Sequence, residues 1–80
     1  MARTTVTFAG YGCYNRTNVV TQNVASAYAG GQKSFTANNL IGGGDPFPGA
    51  RKYLYIVWDS GDGPSSGVTG EGDDNGINLP

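Results

Sequence analysis

Eighty residues carrying five basic and six acidic side chains, one cysteine and no histidine leave room for one small domain with a modest core, residues 1–80, burying roughly 60–65 % of its unfolded surface. The near-neutral balance excludes the basic face that a dedicated nucleic-acid binder needs for counterion release, and the lack of imidazole excludes Ser-His-Asp and Cys-His catalysis and histidine-bound zinc. A single cysteine, Cys13, makes neither an internal disulfide nor a thiolate cage, and no apolar run approaches the ~20 residues of a membrane span.

Fourteen glycines and four prolines cut the chain into short segments. The start, Met1-Ala2-Arg3-Thr4-Thr5, has no apolar stretch of the signal-peptide kind. Thr4–Phe8 alternates polar and apolar residues and reads as a half-buried strand with Val6 and Phe8 inward, broken by Gly10 and Gly12. Tyr11 and Tyr14 then fall in a loop around Cys13, read as a small buried hydrophobe. An unpaired cysteine fits a reducing compartment, or export without oxidative folding. The sequon Asn15-Arg16-Thr17 is incidental without a signal peptide.

Val19 and Val20 form a short strand. Thr21 is the expected N-cap of one or two helical turns that place Val24, Ala27 and Tyr28 on one face, closed by Gly30-Gly31 in a left-handed cap. Lys33–Asn38 reads as a strand with Phe35 and Ala37 on one side. Residues 39–50 form a glycine-rich loop stiffened by Pro46 and Pro48. Lys52–Trp58 is the strongest strand; Tyr53, Tyr55 and Val57 alternate with Leu54, Ile56 and Trp58, so both faces are apolar and the strand is expected to be central and covered on both sides.

Past Trp58 the composition changes. Residues 1–58 carry a net +4, residues 59–80 a net −5. Residues 59–76 read as an acidic, glycine-rich loop with a hairpin signal at Gly61-Asp62-Gly63-Pro64; Val68 and Ile77-Asn78-Leu79 supply one or two short edge strands. The whole is expected to be all-β with one short helix: a small antiparallel β-sandwich or half-barrel.

The segment Thr36-Ala37-Asn38-Asn39, followed by Gly44-Asp45-Pro46-Phe47-Pro48-Gly49-Ala50-Arg51-Lys52 and an alternating apolar strand, resembles the small β domain at the C-terminal end of some DnaJ-type co-chaperones and its stand-alone bacterial and fungal copies. Three consecutive glycines, Gly42 to Gly44, lengthen the loop beyond that pattern. The resemblance implies an all-β binding or interaction module and brings no catalytic residues with it.

Nine of the 80 residues are aromatic, more than so small a core holds. Aromatic faces beside Asn and Asp grip sugars, the ring stacking on CH groups while polar groups meet hydroxyls; they equally suit protein interfaces. The loop residues Tyr11, Tyr14, Asn38, Asn39, Asp45 and Phe47 are therefore the expected ligand contacts. Tyr53, Tyr55 and Trp58 are assigned to the core. Asp59, Asp62, Glu71, Asp73 and Asp74 offer hard oxygen ligands in a glycine-rich setting that calcium would accept, although their spacing is not that of an EF-hand. Paired carboxylates lack any cleft to raise one pKa, and Gly42-Gly43-Gly44 lacks the Lys-Ser/Thr of a phosphate loop. Two functions follow for a non-enzymatic module: a lectin-like carbohydrate binder, or a protein-interaction or self-assembly module in which the opposite charges of the two ends permit head-to-tail contacts in a homo-oligomer.

Overall fold

The computed structural model describes residues 4–13, 16–38, 41, 43–44 and 48–80. Their elements, in order, are β1 (Thr5–Cys13), β2 (Arg16–Val19), α1 (Thr21–Ala29), β3 (Ser34–Phe35), β4 (Tyr53–Asp59), β5 (Pro64–Gly70) and β6 (Ile77–Asn78). The strands form an antiparallel four-stranded sheet in the order β2-β1-β4-β5 and a two-stranded sheet of β3 and β6. This is the expected all-β fold, a small β-sandwich in which α1 and the two-stranded sheet share the second layer.

β1 is longer than its alternating sequence pattern, because it runs through Gly10 and Gly12 instead of ending there. A β-bulge makes this possible. Val6 pairs with Trp58 and Phe8 with the adjacent Val57, so Thr7 is the extra residue and its hydroxyl donates to the Val57 carbonyl at 3.0 Å. The bulge reverses the side-chain parity along the strand. Val6, then Ala9 and Tyr11, point into the core, and Phe8 turns to the opposite face, against the expectation that it points inward beside Val6.

β2 leads directly into α1. Val20 is buried and its N–H donates to the Ala9 carbonyl at 2.9 Å. The helix begins at Thr21 with no side-chain cap; the Thr21 hydroxyl instead accepts the Ala9 N–H at 3.0 Å, fastening the helix start to β1. Val24 is fully buried, and Ala25, Ala27 and Tyr28 pack around it, as the i, i+3, i+4 spacing requires. The C-terminus is a Schellman motif. Gly31 takes φ +107°, its N–H reaches the Tyr28 carbonyl, and the Gln32 N–H reaches that of Ala27. The helix, nine residues long, is too short to persist alone and is held by this packing.

β4 is central, as expected, but only one of its faces is covered. Leu54 and Ile56 are completely buried in a cluster with Tyr11, Val24 and Phe35. Tyr53 and Tyr55, assigned to the core from sequence, face solvent instead, since among the described residues no second layer lies on their side. Trp58 is half-buried at the margin of the core. β5 runs through the middle of the expected acidic loop. It is a seven-residue edge strand joined to β4 through the hairpin that Gly61-Asp62-Gly63-Pro64 signals, with Asp59 opposite Pro64. The strand expected over Lys33–Asn38 is reduced to Ser34–Phe35, where it pairs with Ile77–Asn78, yet Phe35 and Ala37 still point inward.

Candidate functional site

The expected loop site is not assembled among the described residues. Tyr11 lies in the middle of β1, fully buried, because the strand continues through the two glycines beside it; it is a core residue and no ligand contact. Asn38 is exposed but closes a turn: its Nδ2 donates to the Thr36 carbonyl at 3.3 Å and its Oδ1 accepts the Ile41 N–H at 2.9 Å. Tyr14, Asn39, Asp45 and Phe47 lie outside the described residues. Cys13 is a free thiol of intermediate exposure at the end of β1, less enclosed than the expected small hydrophobe.

The acidic set is also divided. Asp59 ends β4 and Asp62 sits in the β4–β5 turn, and Asp59 Oδ1 accepts the Gly61 N–H at 2.7 Å. Glu71, Asp73 and Asp74 follow the far end of β5, roughly 20 Å away at about 3.3 Å per residue over seven residues. Among the described residues no three His, Cys, Asp or Glu side chains are grouped to hold a metal ion. The five carboxylates Asp59, Asp62, Glu71, Asp73 and Asp74 therefore do not form the expected calcium site; β5 keeps the two groups apart.

Instead, Glu71 and Asp73 tie the end of β5 to the start of β4. Glu71 Oε1 accepts the Lys52 N–H at 2.8 Å and lies 3.3 Å from Lys52 Nζ; Oε2 accepts the Tyr11 hydroxyl at 3.1 Å. The Lys52 backbone hydrogen bond leads in holding the Glu71 carboxyl below its ordinary pKa, helped by the Tyr11 hydroxyl and the Lys52 ammonium and opposed by partial burial. Asp73 pairs with Arg51 at 2.8 Å, and its other oxygen accepts the Gly70 N–H at 3.1 Å.

The feature that sequence reasoning missed is the open face of the four-stranded sheet. Register places Thr17 and Val19 of β2, Phe8, Gly10 and Gly12 of β1, Tyr53, Tyr55 and Val57 of β4, and Ser66, Val68 and Gly70 of β5 on that side. The two central glycines form its floor. A Cβ at Gly10 would stand 3.1 Å from both the Tyr55 ring and Thr17 Cγ2, so the glycine lets the ring lie across β1 without displacing either side chain. Phe8 stacks beside it at 5.6 Å with a 38° tilt. The Arg51 guanidinium covers part of the Tyr53 ring, 5.2 Å from its centroid. Val19 (70 % exposed) and Val68 (67 %) flank the aromatics, and Tyr53 (41 %) and Tyr55 (38 %) stand open between them. Arg51 is the cation of the face, and Asp73 balances it.

No family model, no curated protein and no solved structure matches this chain. The comparisons thus bring nothing to bear on the co-chaperone resemblance, and the site is read from its own chemistry.

A concavity of about 630 Å³ opens elsewhere, between the end of α1 and the start of β1, lined by Thr4, Val6, Ala25, Tyr28, Ala29 and Lys33. The Tyr28 hydroxyl donates to the Pro80 carbonyl at 2.8 Å. Among the described residues no helix is long and apolar enough to cross a membrane.

Proposed function

We propose that this protein is a non-catalytic binding module whose open sheet face stacks against a neutral glycan chain. The observation that carries this reading is the uncovered strip of Phe8, Tyr55 and Tyr53 over a floor of Gly10 and Gly12. Ring faces attract the polarised CH groups of a pyranose, while Thr17, Ser66 and the tyrosine hydroxyls lie close enough to meet its hydroxyl groups. Among the described residues the face is poor in charge and the Arg51 guanidinium is balanced by Asp73, which favours a neutral ligand over a phosphate or a polyanion. The cavity of the described residues lies away from it, whereas a protein partner seats its anchor residues in a pocket. A general acid needs a raised pKa, and Glu71, where Lys52 and Tyr11 meet, has a lowered one.

Titration with soluble neutral polysaccharides tests the proposal. Tyr55→Ala is expected to weaken binding about fivefold, since a stacked ring contributes about 1 kcal/mol, and Tyr53→Ala with Tyr55→Ala together to abolish it. EDTA is expected to change nothing, because the carboxylates do not converge. Full binding by the double variant, or no binding by the wild type to any neutral glycan, overturns the reading.

A further inference from the structure

We infer that copies of this chain join edge to edge, with β5 of one copy pairing with β2 of the next to continue the sheet. This inference is independent of what the open face binds. β2 and β5 are the two outer strands of the sheet. Four strands of alternating direction place β5 antiparallel to the β2 of a neighbour related by simple lateral displacement.

The residue rows match in level register. One row reads Val19, Gly10, Tyr55, Val68, so lateral continuation sets Val68 opposite Val19 of the next copy. The hydrogen-bond phase agrees. The Val20 N–H bonds to the Ala9 carbonyl and the Glu71 N–H to that of Lys52. Alternation along antiparallel strands then directs the backbone groups of Val19 and Val68 outward, where the two residues can exchange both N–H···O=C bonds. The same pairing brings together, on one face, the two most exposed valines of the sheet.

Charge also selects this arrangement. Three rows further on, Arg16 of β2 is level with Cys13, beyond which lie Lys52 and Glu71. Arg16 of the neighbour would therefore approach the acidic turn at Glu71–Asp74. Pairing β5 with a second β5 would instead bring Asp62 of each copy toward that turn in the other, like charge against like. β5 itself, Pro-Ser-Ser-Gly-Val-Thr-Gly, contains none of the lysines or inward charges that protect sheet edges, and its one proline stands at the first position. A heterologous contact of this kind does not close on itself, so it propagates into a twisted ribbon. With few residue pairs in the contact, association is weak and depends on concentration.

Sedimentation of the wild type, Val68→Lys and Val19→Lys, without glycan, tests the inference. Both substituted side chains are exposed, and unchanged melting curves show that each variant folds. The wild type is expected to form a concentration-dependent series extending beyond the dimer. Each variant alone is expected to remain monomeric, and an equimolar mixture to form 1:1 dimers and nothing larger, since only one intact pair of edges remains. A wild type that stays monomeric up to about 1 mM, a weak-binding limit near −4 kcal/mol, overturns the inference. So does a variant that still associates alone, or a mixture that does not pair.

Discussion

Lys52 is buried with only 5 % of its side chain accessible, and Glu71 at 3.3 Å is its acidic partner. The same carboxylate satisfies the Lys52 N–H and the Tyr11 hydroxyl, so one side chain joins β1, β4 and the turn after β5. Glu71→Ala removes the carboxylate that an enclosed ammonium and the tyrosine hydroxyl share. Glu71 is partly solvated, which reduces the effect, and the expected loss is about 2–3 kcal/mol. Acid has a related effect. The folded-state pKa lies below the ordinary 4.5, so the stabilisation is complete above the unfolded value and is lost as pH falls through the folded one. Urea unfolding between pH 2 and 7 should therefore show the wild type losing stability below about pH 4.5, while Glu71→Gln, which cannot titrate, gives a flatter curve there. Parallel wild-type and Glu71→Gln curves would show that this carboxyl is not the linked group. Tyr11, read from sequence as a loop aromatic, belongs to this hub; nothing in Gly10-Tyr11-Gly12 announces it, because the reason for the glycines lies on other strands.

At the scale of elements, glycine inside strands decides the pairing. A Cβ at Gly12 would run into the carbonyl oxygen of Arg16 and come within 2.7 Å of Thr17 Cα, backbone atoms that cannot turn aside. At Gly67 the added Cβ would come within 2.9 Å of Ile77 Cγ2, a side chain of β6. Gly12→Ala is therefore expected to cost about 3 kcal/mol, Gly67→Ala about 1–2, and Ser66→Ala on the solvated face under about 0.5. Thermal unfolding of the three variants checks the order; equal costs at Gly12 and Ser66 would refute the close approach of β1 and β2. This is also where sequence reading reached its limit. Periodicity alone located β4, α1 with its Val24 face, the glycine cap and the Gly61–Pro64 hairpin, since each rests on local spacing. β5 has little strand propensity of its own and is a strand because β4 supplies its partner. The bulge at Thr7 turns Phe8 over without leaving any mark in an alternating sequence. The expected calcium ligands did not converge because proximity along the chain was taken for proximity in space, and seven residues of β5 intervene.

At the scale of the whole fold, the described residues cover the sheet on one side. Sequence alternation in β4 gives two apolar faces, but among the described residues there is one covering layer, α1 with β3 and β6. The second apolar face is thus left to meet water or a partner. Neighbouring residues of one strand should then respond very differently to truncation. Ile56 is completely buried among core side chains, and Ile56→Ala is expected to destabilise by about 3–4 kcal/mol through lost contacts and the cavity left behind. Tyr55, larger by far, rests on Gly10 and Phe8 with its outer side in solvent, so Tyr55→Ala should cost only about 1 kcal/mol while removing the centre of the binding strip. Urea midpoints for the two variants, measured below the concentration at which the wild type associates, make the comparison. If Tyr55→Ala proved as damaging as Ile56→Ala, the face would be part of the core after all and unavailable to any ligand. If it is mild, a sheet of this size keeps an aromatic surface in water at little cost to its own stability, as a module that binds by that surface must.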